Sequence, residues 1–270
     1  MKLKISKWDP ATFKCGSVIL ICGKRGTGKS FLMKDLAYHI RDKVDYGVCM
    51  SPTDDVQDGF RSFMPASLIY NAYTEEKVSA LMQQQKRDWK KGSGKEAFVM
   101  LDDCLFDKSV LTSTVMRELF MNGRHRHITL VLIVQYIMDM PSALRSQVDY
   151  VFTLRENIIS NRDRLWKQFF GFFNTFASFC ECLDATTENF SCMVYDGKSA
   201  KTNNLEDCVF WYRASEVPSF RLCRPVYWRL DERFFHDREE EFEEMREVEK
   251  TRALKKKMAK EGVLGVEVVE

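Results

Sequence analysis

The sequence predicts an α/β fold built on a mainly parallel sheet, and three observations predict it. Short runs rich in Val, Ile, Leu and Phe alternate with amphipathic stretches of helical period, the rhythm of strand–helix–strand units. Those runs are continuously apolar rather than alternating, as expected of strands covered on both faces. A content of 45% hydrophobic and 30% charged residues over 270 positions suits one or two packed domains and excludes a collagen-like or wholly disordered chain.

Core strands are expected at Ser17–Cys22, Tyr46–Met50, Ala97–Asp102, Ile128–Val134 and Val148–Leu154. After the first, Phe31 to Val44 carries apolar residues at 31, 32, 36, 37, 40 and 44, a single helical stripe. Val110 to Met121 repeats that pattern, and Gly123 supplies a C-terminal stop. Ser191–Tyr195 and Val209–Tyr212 read as further strands, candidates to extend the sheet antiparallel. From Asp231 the text turns acidic and then basic, a helix whose ends complement its dipole and whose charges pair at i, i+4. The expected division is therefore a main domain over 1–230 and a charged helical tail over 231–270. The tail is either a solvated extension or an arm that docks on a neighbouring subunit.

Forty-one Lys and Arg against 39 Asp and Glu leave a formal charge of +2, so any polyanion must be met by a local basic surface. Nine cysteines form no repeated framework, and Cys22, Cys49, Cys104, Cys192 and Cys208 sit in apolar runs, which reads as reduced, buried thiols. The N-terminus lacks an apolar leader segment, and Ile128–Val134 falls far short of the ~18 residues of a membrane span. A soluble, non-secreted protein with no transmembrane segment is expected.

Chemistry enters directly after the first strand. Gly23-Lys24-Arg25-Gly26-Thr27-Gly28-Lys29-Ser30 fits G-x-x-x-x-G-K-[ST] between an apolar strand and an amphipathic helix, the phosphate-binding P-loop. Its glycines let backbone N–H groups converge on phosphate oxygens at a helix N-terminus. Lys29 then reaches the β and γ phosphates, and the Ser30 hydroxyl is a ligand for Mg²⁺. A metal-holding acid is needed at the end of a neighbouring strand, and Ala97-Phe98-Val99-Met100-Leu101-Asp102-Asp103 supplies it. Asp102 is expected to hold the ion, and Asp103 to orient or deprotonate an attacking water. Gln135 follows the fourth strand at the edge where open α/β sheets place ligands and is a candidate sensor of the γ-phosphate. Neither D-x-x-G nor N-K-x-D occurs, which favours ATP over GTP. Cys180 and Cys182 lack the spacing of a zinc site, and His125 and His127 read as surface or interface residues.

Taken together, GKRGTGKS, FVMLDDCLFD, RELFMNGRHRHITLVLIVQY and LRSQVDYVFTLRENIISNRDRL closely resemble the genome-packaging ATPases of nucleocytoplasmic large DNA viruses, the poxvirus-type relatives of the HerA/FtsK motors. The resemblance runs from about residue 15 to about 196. It implies an additional-strand P-loop NTPase fold of RecA/FtsK-like type, with core order 5-1-4-3-2. It also implies a homo-oligomeric ring, a hexamer, that drives double-stranded DNA into a capsid using ATP and Mg²⁺. The implied partners are capsid or internal-membrane proteins at the packaging vertex, and the implied place is the virus factory in the host cytoplasm or the virion.

Carried over by motif, Lys29 and Ser30 are the Walker A pair, Asp102 the Walker B acid and Gln135 the strand-four sensor. Asp103 occupies a catalytic position where many relatives have Glu. A ring of this kind needs an arginine in the neighbour's site. Arg124 is the first choice, with Arg126 and Arg162 as rivals. For DNA, the richest basic cluster is Lys86, Arg87, Lys90 and Lys91 around Trp89, with Lys95 nearby; cations among aromatics suit backbone tracking, although lysines at a helix C-terminus also stabilise the helix itself. Two other function classes share the P-loop: a nucleotide-dependent capsid or membrane assembly ATPase, and a small-molecule kinase.

Overall fold

The fold is that of a computed structural model, which describes residues 3–92, 94, 96–106, 108–137, 140–199, 204–235 and 251. In chain order it runs β1 (Ser6–Lys7), β2 (Val18–Cys22), α1 (Lys29–Ile40), β3 (Val44–Met50), α2 (Asp54–Arg61), β4 (Ile69–Tyr70), α3 (Glu75–Lys90) and β5 (Glu96–Asp102). There follow α4 (Lys108–Thr112), α5 (Thr114–Asn122), β6 (Ile128–Val134), α6 (Ser142–Arg145), β7 (Tyr150–Thr153), α7 (Ile159–Phe169), α8 (Phe176–Thr186), β8 (Ser191–Asp196) and β9 (Val209–Arg213).

These strands form one sheet in the order β1-β9-β8-β7-β2-β6-β5-β3-β4. Its central five, β7-β2-β6-β5-β3, are parallel neighbours and correspond to the five expected strands in the order 5-1-4-3-2. Every residue of β2 and β6 is buried, which accounts for their unbroken apolar text, since a strand with both faces covered has no solvent side to alternate toward. Strands β8 and β9 continue the sheet antiparallel. The outermost strands, β1 and β4, are two residues each, so little unpaired edge is left exposed.

Two helices depart from their expected bounds. The first starts at Lys29 and ends at Ile40; Phe31, assigned to its apolar stripe, is instead 50% exposed, and Val44 opens β3. The stretch Val110–Met121 is two helices rather than one. Ser113 interrupts it by capping α5, its side chain accepting from the Met116 amide, because a short hydroxyl competes for backbone donors and favours a fresh N-terminus. Gly123 ends α5 with right-handed backbone, its amide donating to the Leu119 carbonyl.

The N-terminal segment is fastened by Trp8, which is buried, donates its indole N–H to Asp196 at 3.2 Å and meets Phe152 and Tyr212 edge-on. All nine cysteines are free thiols and seven are buried, including the five in apolar runs. The chain divides into two compact units, Met1–Arg224 and Pro225–Glu270. In the second, residues 225–235 are helical; nearly all of the charged tail over 231–270 lies outside the described residues. Among the described residues no helix is long and apolar enough to cross a membrane.

Candidate nucleotide-binding and hydrolysis site

Parallel strands deliver their C-terminal ends to one edge of the sheet, so register alone assembles the site. Cys22 pairs with Val134 and Thr153, Asp102 with Ile133, and Met50 with Leu101. Gly23, Asp103, Gln135, Ser51 and Leu154 consequently emerge side by side. The Gly23 amide donates to Val134, the Asp103 amide to Ile133 and the Leu154 amide to Cys22, at 2.8–3.1 Å.

The loop from Gly23 to Lys29 turns on Gly26 and Gly28, whose φ values of +79° and +98° are left-handed and disfavour any residue with a Cβ. Gly23 is needed for room: a Cβ there would lie 2.7 Å from Thr27 Oγ1 and 2.9 Å from Leu154 Cβ. The loop opens into α1, whose first turn has no side-chain cap, so its N–H groups remain for an anion. Lys29 Nζ donates to the Gly23 and Lys24 carbonyls at 2.6 and 3.0 Å, holding its charge inside the concavity. Lys24, Arg25 and Thr27 line the loop, with Arg25 exposed and Thr27 Oγ1 donating to the Lys24 carbonyl at 2.7 Å.

Asp102 and Asp103 face different surroundings. Asp102 is 5% exposed and accepts from the Ser51 hydroxyl at 3.2 Å. Burial, with the Asp103 charge, pushes its carboxyl up to about 6, against the Ser51 bond and Lys29. Asp103 is half-buried, with a left-handed φ of +48°, a strained position of the kind found at functional sites. Its Oδ2 accepts from Gln135 Nε2 at 2.6 Å.

The raised pKa has a consequence for stability. The folded chain holds this proton more tightly than the unfolded chain, whose ordinary value is 3.8. The contribution of Asp102 to stability is therefore greatest below that value and falls as pH rises through about 6. Asp102→Asn removes the buried charge, so without nucleotide the variant should be more stable than wild type by about 1–3 kcal/mol at pH 8, with the gap closing near pH 4. Thermal melts at both values test this; a gap independent of pH refutes it.

Two contributors escape sequence reasoning. Ser51, at the tip of β3, is fully buried and reaches the site only because β3 lies beside β5. Glu156, also buried, accepts from the Ile158 amide at 2.8 Å and from Asn161 at 2.9 Å, and meets Lys24 Nζ at 3.4 Å. It thus ties the loop after β7 to the P-loop. The run Leu-Arg-Glu-Asn was a visible signal for it; for Ser51 there was none.

The arginines lie elsewhere. Arg124 and Arg126 sit on a short turn ahead of β6, at the opposite edge of the sheet from Gln135. Arg126 is paired with Glu118, whereas Arg124 is exposed. Arg162, on α7, is 8% exposed, holds Asp184 through both terminal nitrogens and donates from Nε to the Glu156 carbonyl at 2.6 Å. The cluster of Lys86, Arg87, Lys90 and Lys91 is exposed on the last turns of α3. Lys95 lies outside the described residues. Gln85 bonds the Arg126 and His127 carbonyls, and Trp89 stacks on His127 at 3.4 Å. The basic end of α3 is thereby pinned against the Arg124 turn.

The chain is similar in sequence and in fold to known proteins. Uncharacterized protein 088R of Invertebrate iridescent virus 3 is 31% identical over 210 residues, 76% of this chain and 80% of that one. Uncharacterized protein L437 of Acanthamoeba polyphaga mimivirus is 30% identical over 225 residues, 80% and 78% of the two chains. Among solved structures, the genome packaging NTPase B204 from Sulfolobus turreted icosahedral virus 2 in complex with AMP shares the fold. Its TM-score is 0.54 at 14% identity, over 74% of this chain and 98% of that one. A family model described as poxvirus A32 protein matches residues 12–167. That span runs from ahead of β2 to the last turns of α7, through the P-loop, the paired aspartates and Gln135, and the chain belongs to the poxvirus A32 protein family.

Proposed function

We propose that this protein is an ATP-hydrolysing motor that moves double-stranded viral DNA into a capsid. It works as a homo-oligomeric ring, a hexamer, in the cytoplasm of the infected cell. The observation that carries the reading is the meeting of the P-loop, the Asp102–Asp103 pair and Gln135 at one sheet edge, with Gln135 bonded to Asp103 at 2.6 Å. Membership of the A32 family and the fold held in common with a viral packaging NTPase support it.

The chemistry follows from the residues. Backbone N–H groups of the loop and of the first turn of α1 cradle the phosphates, and Lys29 places a positive charge among them. With Oδ2 anchored by Gln135, Asp103 presents Oδ1 to accept a proton from water. A second acid beside Asp102 suits water as the acceptor, which separates this site from a small-molecule kinase. The Ser30 hydroxyl and the Asp102 carboxylate are hard oxygen donors that fit Mg²⁺, and a dication offsets the cost of ionising buried Asp102. When bound, Mg²⁺ would neutralise charge on the phosphate oxygens. DNA meets the exposed Lys86, Arg87, Lys90 and Lys91 through its backbone phosphates, without reading sequence. Capsid or membrane proteins at the packaging vertex complete the set of partners.

The test is phosphate release with and without long duplex DNA. Wild type should be stimulated by DNA, Lys29→Ala should lose turnover by about 10²- to 10³-fold, and Lys90→Glu with Lys91→Glu should keep basal turnover while losing the stimulation at moderate salt. Turnover indifferent to DNA in the wild type would overturn the motor reading.

A further inference from the structure

Beside the P-loop lies a cavity of about 440 Å³, within the range of small-ligand sites. One wall is Gly28, Phe31 and Leu32, from the loop and the start of α1; the other is Phe190 and Cys192 at the head of β8, with Arg213 and Glu216 at and beyond the end of β9. Hydrolysis as derived above uses none of these side chains except through the loop backbone.

Two of the walls are aromatic and uncovered. Phe190 is 70% exposed and Phe31 50% exposed, although each flanks a concavity that could shelter it. Phe190 is also held there by unusual backbone. It and Asn189 are consecutive non-glycine residues with left-handed φ, +62° and +51°, a conformation persisting only where the surroundings impose it. This brings Phe190 Cδ1 to 3.7 Å from where a Cβ on Gly28 would lie, so the ring stands directly over the glycine that precedes Lys29. A nucleotide whose β and γ phosphates sit at Lys29 carries its base beyond one α-phosphate and one ribose, and Gly28 of the same loop lines this cavity.

We propose that the cavity is the adenine-binding site, the base stacking on Phe190 and Phe31, with Arg213 and Glu216 facing its polar edge. Aromatic rings that every base can stack on supply most of the affinity. The Glu216 carboxylate accepts from the 6-amino group of adenine, where guanine carries an oxygen acceptor instead. The proposal rests on the nucleotide reading of the P-loop and adds the residues that recognise the base.

The test measures equilibrium binding of a non-hydrolysable ATP analogue and of inorganic tripolyphosphate to the full chain, as wild type, Phe190→Ala, Phe190→Tyr and Lys29→Ala. Phe190→Ala should weaken the ATP analogue roughly 5- to 150-fold and leave tripolyphosphate unchanged, while Phe190→Tyr retains wild-type binding. Lys29→Ala should weaken both ligands. Unchanged affinity of Phe190→Ala for the ATP analogue, or equal loss of both ligands, overturns the base site while leaving the P-loop reading intact. Unchanged binding in Lys29→Ala, or a wild type that binds neither ligand, overturns the P-loop reading and this proposal with it.

Discussion

Arg124→Ala should lower ATP turnover by roughly 10³- to 10⁵-fold while nucleotide affinity stays within a factor of about three. The size follows from the role: a guanidinium meeting charge as it develops on the γ-phosphate contributes to the transition state and little to ground-state binding. Of the three arginines, two are already engaged within the chain. Arg126 is paired with Glu118, and Arg162 is buried against Asp184 and the Glu156 carbonyl. Arg124 is exposed on its turn. Its own P-loop is at the far edge of the sheet, so in the ring proposed above Arg124 would meet the nucleotide of an adjoining copy. Mixing makes the test specific. Lys29→Ala and Arg124→Ala should each be inactive alone, yet a mixture of the two should recover turnover, because some junctions then combine an intact P-loop with an intact Arg124. Retained turnover in Arg124→Ala would remove it from the site.

Asp103→Asn should reduce hydrolysis by roughly 10²- to 10⁴-fold with ATP still bound. Asparagine tolerates left-handed backbone about as well as aspartate, so the φ of +48° is kept. Its amide oxygen can still accept from Gln135. What is lost is the capacity to take a proton. Single-turnover hydrolysis compared with nucleotide affinity separates the two effects, and a rate within threefold of wild type would reassign the base. Gln135→Ala should have a smaller effect than Asp103→Asn, since it frees the carboxylate to rotate without removing it.

Much of the architecture is legible in the text because burial on both faces leaves an unmistakable mark. β2, β5 and β6 are apolar nearly throughout, and their boundaries agree with the expected ones to within a residue or so. What escapes is set by partners distant in sequence. β1 is Ser-Lys and β4 is Ile-Tyr, strands only because a neighbour offers them hydrogen bonds. Trp8 is buried by residues some 140 to 200 positions away, which no local period announces. At the site, the P-loop and the paired acids were visible because their chemistry demands fixed spacing. Ser51 and Phe190 were not, since each gains its place from strand order or from a backbone twist. Phe31 is instructive: counted as apolar it fits a core stripe, yet it turns outward toward the cavity.

β6 carries Gln135 at one tip and the Arg124 turn at the other. Seven residues of extended chain make it about 23 Å long. Clamped between β2 and β5 within a close-packed interior, such a strand yields little along its length. In the ring proposed above it would serve as a push-rod: a nudge where one fuel molecule is spent would arrive at the far end as a shift of the Arg124 turn offered to the next engine in line, so that firing order would be written into the stiffness of a single strand.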